Sequence, residues 1–372
     1  MKKLMILAAA AALVFASCAK TEVTSVNEEN NHVIGFTNYA ARDITKATVD
    51  NYVAKGAKLT VGQKFGVFAY NAGTATTFDP ATHMPAFMNN VKVEYGDGGD
   101  TNADVNAYSP ARYWPKDEAN NHLFFYAYYP ADGTGANLTV AVPDDAAGYG
   151  KYTYVVNNTD ITKADDFMLS DLVSDKRVYS ETTNGVVPMI FRHQLVKVRF
   201  AVKSDKDYVT ASNTKITVKK FLLKGVNTKA TLAPSGDATV DNWTLSTDAA
   251  DKKDFDITYV KNELTADYVP AAESVTATEN NVYLMLPQSL SGVTLEIEYE
   301  VDNGVDEKVL NKKTINMSDI LKGDKGAQGT ETIGTWFMNN SYVYKFEFSL
   351  NEIKFTATAA TWADDIIGYT AI

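Results

Sequence analysis

The sequence predicts an all-β protein built from two tandem antiparallel β-sandwich domains, on three observations. Segments of period-two alternation recur along the chain, turn clusters punctuate them, and long stretches with helical spacing are scarce. The clearest strands are Val198 to Val202 (VRFAV), Ile216 to Leu222, Leu295 to Val301 (LEIEYEV) and Tyr342 to Leu350 (YVYKFEFSL), rich in β-branched and aromatic residues. Between strands stand Asp97-Gly98-Gly99-Asp100, Asp132-Gly133, Pro234-Ser235-Gly236 and Asp302-Asn303-Gly304, residue types that tolerate the tight dihedrals of hairpin turns. Many short strands joined by such turns close into sandwiches.

From the N-terminus, Lys2 and Lys3 precede an unbroken apolar run, Leu4 to Phe15, and the small residues Ala16 and Ser17 come directly before Cys18, the sole cysteine. A run of about a dozen residues is too short for a membrane span, which needs about 20, and fits an export signal. Small residues before the cysteine resemble the lipobox of bacterial lipoproteins, where the thiol is diacylated and the signal is cut before it. The alternative is an ordinary secretory signal ending near a free thiol, although an unpaired thiol is a liability in an oxidising compartment. Residues Cys18 to Asn31 are polar and unpatterned, as a tether requires. The rest of the chain has no cysteine, so a hydrophobic core must hold it together. The full 372 residues, 45% hydrophobic, suffice for two domains, with the boundary expected near Gly185 to Phe191. A net charge of −11 repels nucleic acid and anionic lipid, so neither is an expected partner.

No constellation of catalytic residues emerges. His32, His83, His122 and His193 are scattered without a second ligand at metal-site spacing, and no serine occupies a G-x-S-x-G elbow. Adjacent carboxylates at Asp144-Asp145, Asp165-Asp166 and Asp364-Asp365 point to opposite faces if placed on a strand, so they read as solvated loops. Asp100, Asn102 and Asp104 have the alternating spacing of a calcium loop. Val105 stands where the loop needs Gly, and Ala111 where it needs Glu. No catalytic residue, metal ligand or cofactor is expected. The aromatic-rich run Leu123 to Tyr129, just after Tyr113-Trp114-Pro115, admits two readings: alternation favours core filling, and any outward-facing members would suit stacking on sugar rings.

The run YWPKDEANNHLFFYAYYP (Tyr113 to Pro130) resembles a signature of the fimbrillin family, the subunits of type V pili of anaerobic Gram-negative bacteria. GVFAY (Gly66 to Tyr70), DFMLS (Asp166 to Ser170), FRHQLVKVRF (Phe191 to Phe200), YLMLPQ (Tyr283 to Gln288) and IKFTATAATW (Ile353 to Trp362) are similar to that family in the same order. The resemblance implies transthyretin-like sandwich domains and an adhesive, non-enzymatic subunit. It also implies a lipoprotein precursor at the outer-membrane surface, where an Arg/Lys-specific protease removes an N-terminal strand. The groove then receives a C-terminal strand of the neighbouring subunit, and the product is an extracellular fimbria. Its implied partners are other pilin subunits, the surface protease, the lipid anchor, and surface glycans or proteins as adhesion targets.

The corresponding division is 1–17 signal peptide, 18–46 lipidated propeptide with the first strand, 47–188 and 189–350 the two domains, and 351–372 the exchangeable segment. His32 to Tyr39 is a short strand with Ile34 and Phe36 on one face, followed by polar sequence carrying Arg42 and Lys46, the expected cleavage positions. A retained first strand of the N-terminal domain is the alternative. Near the C-terminus Ile353, Phe355, Ala357, Ala359 and Thr361 line one face of a strand closed by Trp362, a pattern suited to strand addition. Their burial would contribute on the order of 5 to 10 kcal/mol before ordering costs. The same strand folded back on its own domain is the alternative. A surface lipoprotein that binds glycan through exposed aromatics and never polymerises is the competing function.

Overall fold

The computed structural model describes residues 32–40, 59, 61–96, 107–131, 137–141, 148–159, 164–176, 185–205, 214–269, 281–324, 327–350 and 352–362. Cys18, Arg42, Lys46 and the calcium-like loop of Asp100, Asn102 and Asp104 lie outside them. Strands dominate, and no α-helix forms among the described residues. The first half contains β1 (Gly35–Ala40), β2 (Lys64–Asn71), β3 (Met88–Glu94), β4 (Leu123–Tyr129), β5 (Leu138–Ala141), β6 (Lys151–Val155), β7 (Met168–Ser170), β8 (Val173–Lys176) and β9 (Val186–His193). There follow β10 (Val196–Ser204), β11 (Lys215–Asn227), β12 (Lys229–Leu232), β13 (Trp243–Leu245), β14 (Lys252–Asp256), β15 (Tyr283–Met285), β16 (Gln288–Ser289) and β17 (Thr294–Asp302). The last are β18 (Val309–Asn316), β19 (Leu321–Asp324), β20 (Ala327–Thr332), β21 (Thr335–Trp336), β22 (Asn340–Phe348) and β23 (Ile353–Thr361).

The first sheet has the order β1-β9-β7-β4-β2-β3, with β8 also on β4. A second runs β15-β10-β22-β23-β19-β20 and a third β14-β11-β17-β18. A fourth, β13-β12-β6-β5, joins the halves of the chain, because β12 pairs antiparallel with β6 from Lys229↔Val155 to Leu232↔Tyr152. The two halves are therefore laced together by a shared sheet. Most pairing is antiparallel, and β1 with β9, β10 with β22 and β19 with β23 are parallel.

Strand β9 runs through the expected boundary near Gly185 to Phe191. A division at 188/189 cuts a continuous strand of the first sheet, and the chain enters the second sheet only after Gln194-Leu195. Gly185, at φ +68°, is a genuine turn residue, but it opens β9 rather than separating domains. The crossing itself carries neither Gly nor Pro, so turn chemistry does not mark it.

Every residue of β4 is buried, which makes it the axis of the fold. Leu123, Phe125, Ala127 and Tyr129 face one core with Phe36, Phe65 and Met189. Phe124, Tyr126 and Tyr128 face another with Tyr152 and Tyr154 of β6 and Ala230 and Leu232 of β12. Those rings need a cover, and the shared fourth sheet supplies it; Tyr128 and Tyr152 lie edge to face at 5.4 Å. Alternation in Leu123 to Tyr129 thus reports two buried faces, and the run offers no outward platform for a sugar. Tyr113, in the neighbouring part of the aromatic-rich segment, is exposed.

Candidate assembly site

Strand β1 closes one edge of the first sheet. It lies parallel to β9 in the register Gly35↔Val186 to Ala40↔Phe191, with no strand on its other side among the described residues. Alternation sets its burial: Val33 is exposed, while Ile34 and Phe36 are both 0% exposed. The Phe36 ring meets Phe65, Tyr108 and Phe125 at centroid distances of 6.2, 5.9 and 6.0 Å, all edge to face. Ile34, just ahead of the strand, and Phe36 within it thus plug a core to which β2, β4 and β9 also contribute.

The chain entering β1 is held from a second direction. Ile34 N–H donates to Arg112 O at 2.9 Å and Trp114 N–H donates to His32 O at 3.0 Å, an antiparallel bridge centred on Val33 and Tyr113. Tyr108 Oη donates to Ile34 O at 2.7 Å. Burial raises the Tyr108 phenol above its ordinary value, so it stays a donor at neutral pH. Gly185 O, just ahead of β9, accepts from both Gly35 N–H and Trp114 Nε1–H, at 3.3 and 3.0 Å. Trp114 was legible within its motif; Tyr108 carried no sequence signal, because its role depends on a main chain 74 residues away.

The C-terminal segment is held differently. β23 pairs antiparallel with β22 over nine positions, Asn340↔Thr361 to Phe348↔Ile353, and Ala357 also bridges Lys322 of β19. Ile353 and Ala357 are buried, while Phe355 and Ala359 are half-buried and pack on the same core. Thr361 ends the pairing, and Trp362 is 1% exposed. The expected inward face is present, but the apolar positions seat on their own domain, and the strand is internal to its sheet rather than extended from the body.

Trp362 joins three motifs at one contact. Its ring stacks on His193 with centroids 3.9 Å apart and planes 1° from parallel. His193 Nδ1 is 3.0 Å from Asp166 Oδ1, both side chains fully buried, and Lys197 Nζ lies 5.6 Å from the indole. Trp362 N–H donates to Asn339 O, and Asn339 N–H donates to Leu195 O at the sheet crossing. The segments DFMLS, FRHQLVKVRF and IKFTATAATW, distant in sequence, therefore meet where the two sheets join. His193, expected to be an isolated histidine, is a structural member of this junction.

The sequence and the fold match a known group of proteins. A model of the fimbrillin-like proteins aligns with residues 45–362. The chain belongs to the fimbrillin-like family. It is 25% identical over 382 residues to the fimbrium subunit Fim1C of Phocaeicola vulgatus, covering 95% of each chain. Its fold is similar to the crystal structure of a fimbrial protein from Bacteroides vulgatus, with a TM-score of 0.60 and 20% identity over 90% of this chain and 100% of that one. The family assignment makes the buried edge strand and the laced halves features of a fimbrillin-like subunit.

Proposed function

We propose that the chain is a structural subunit of a type V fimbria that polymerises by strand exchange and serves adhesion, without catalysis. The observation that carries this reading is the segment entering and forming β1: a short strand at a sheet edge, parallel to one neighbour, where Ile34 just before it and Phe36 within it fill a core assembled by other strands. The family match begins at residue 45, after this strand. The precursor is exported through the signal 1–17, lipidated at Cys18 and displayed at the outer-membrane surface. An Arg/Lys-specific protease cuts after Arg42 or Lys46, releases the lipid with β1 and opens the slot. A neighbouring subunit's segment 351–372 then fills it, with Ile353, Phe355, Ala357, Ala359, Thr361 and Trp362 as the donor residues.

Two features support the pairing. Ile34-Gly35-Phe36-Thr37 and Ile353-Lys354-Phe355-Thr356 share the pattern Ile-x-Phe-Thr. A Cβ added at Gly35 would meet only Val186, its nearest atom at 3.4 Å, so the position takes a side chain such as that of Lys354. Exchange requires β23 to leave its place on β22, and the gain at β9 must offset that loss.

Limited digestion of the purified precursor with trypsin tests the proposal. The expected result is a new N-terminus at Asp43 or Ala47 together with ladders of stable multimers on a gel. A cleaved chain that stays monomeric at high concentration would overturn the exchange mechanism, and a chain resistant at both positions would overturn the activation step.

A further inference from the structure

The segment Tyr108 to Trp114 grips the main chain of β1 at one point. Around Ile34 three groups converge: Arg112 O takes its N–H, Tyr108 Oη gives a hydrogen bond to its C=O, and Trp114 N–H binds the carbonyl two residues earlier. Beyond that point the chain turns from the Arg112–Trp114 segment to β9, and Gly185 O bonds the first amide of the new pairing as well as the Trp114 indole. A ladder on β9 alone leaves register open, since a slip of two residues preserves every inward face. The grip at Ile34 removes that freedom, because only one residue of the occupant can satisfy both Arg112 O and Tyr108 Oη.

We propose that Tyr108 and Trp114 form a register clamp that reads the main chain of whichever strand fills the β1 slot, and that its occupant in the assembled state is Ile353–Thr356 of a second copy of this chain. The inference rests on the strand-exchange reading above. Trp114 acts through position: its indole N–H on Gly185 O holds the 112–114 segment against the start of β9, so the two walls of the slot keep a fixed separation. Tyr108 acts directly through its hydroxyl. The clamp places the residue at the Ile34 position, and Phe at the next inward position then meets Phe65 and Phe125. An Ile-x-Phe sequence is the simplest one that satisfies the main-chain grip and both side-chain positions. Ile353-Lys354-Phe355 supplies it, with Lys354 taking the outward, half-exposed place of Gly35.

The test uses the full chain after limited trypsin treatment and two fluorescent peptides, His32–Ala40 and Glu352–Ala360. Both are expected to bind, and Tyr108→Phe is expected to weaken each about three- to tenfold, the range for one lost hydrogen bond. Trp114→Phe should weaken binding and also let a peptide with Ile and Phe shifted by two residues compete on equal terms. N-methylation of the peptide residue matching Ile34 should reduce binding, whereas N-methylation of a residue beyond the pairing should not; this control leaves the protein's folding untouched. If neither peptide binds and the cleaved chain also stays monomeric, the strand-exchange reading itself fails; if neither binds because the chain has multimerised, the slot is already filled and exchange stands. If both bind and neither Tyr108→Phe nor the N-methyl group matters, the clamp is overturned while exchange stands. If His32–Ala40 binds and Glu352–Ala360 does not, the assigned occupant is wrong.

Discussion

The pattern Ile-x-Phe-Thr leads into β1, from Ile34, and begins β23, at Ile353, yet the fold treats the two strands in opposite ways. β1 has one parallel neighbour and six paired residues, at the edge of its sheet. β23 has nine antiparallel pairs on β22, a bridge to β19, and Trp362 stacked on His193 at its end. Side-chain burial alone does not separate them, since Ile34 and Phe36 are more deeply buried than Ile353 and Phe355. What separates them is what depends on each. Removing β1 bares one edge of β9 and a single aromatic-lined hollow. Removing β23 divides the second sheet, leaving β22 an edge and stranding the β19–β20 hairpin. An edge strand can be detachable while its side chains are fully buried; an internal strand cannot leave without remaking its sheet.

This contrast breaks most readily under truncation. A chain ending before Ile353 is expected to unfold at a much lower midpoint than the intact chain, whereas one beginning at Ala47 is expected to show a smaller decrease, both followed by circular dichroism. Equal effects from the two truncations would erase the distinction. Phe36→Ala should cost about 3–5 kcal/mol of β1 docking, as large-to-small core changes do, and should appear as faster proteolysis after Arg42 or Lys46 with the rest of the sheet intact. Ala357→Trp overpacks a fully buried position and is expected to cost about 1–3 kcal/mol of unfolding stability in the unassembled subunit, measured by denaturant titration. An unchanged midpoint would mean that β23 is not seated in its own domain. The smallest effect belongs to a control on β17. Hydrogen bonds from Lys220 and Lys224, at 2.7 and 2.8 Å, hold the Glu296 carboxyl down to about 2. A depressed folded-state value means the pair stabilises above the unfolded value of 4.5 and loses that contribution as pH falls from there through about 2. Glu296→Gln should flatten this slice of the acid unfolding curve and leave both strands' behaviour alone.

Much of the fold was legible because period-two alternation survives wherever one face of a strand is buried. LEIEYEV became β17 with Leu295, Ile297 and Tyr299 inward and three glutamates outward. Leu123 to Tyr129 was read correctly as core, but its second buried face was not, because alternating aromatics look alike whether the other face meets solvent or a second layer. The crossing at Gln194-Leu195 left no turn residue to mark it. Ile34 and Phe36 were found by spacing. Tyr108 and the stack of His193 on Trp362 were not, since each joins residues far apart in the chain through contacts that no local pattern encodes.

Native-state hydrogen exchange on the intact, unassembled chain tests the central distinction most directly. The amides of β1 are expected to exchange through a local opening, on the order of a hundredfold or more faster than those of β22 and β23, which should open only with the C-terminal sheet as a whole. Equal protection of β1 and β23, or a β23 that opens first, would contradict that distinction.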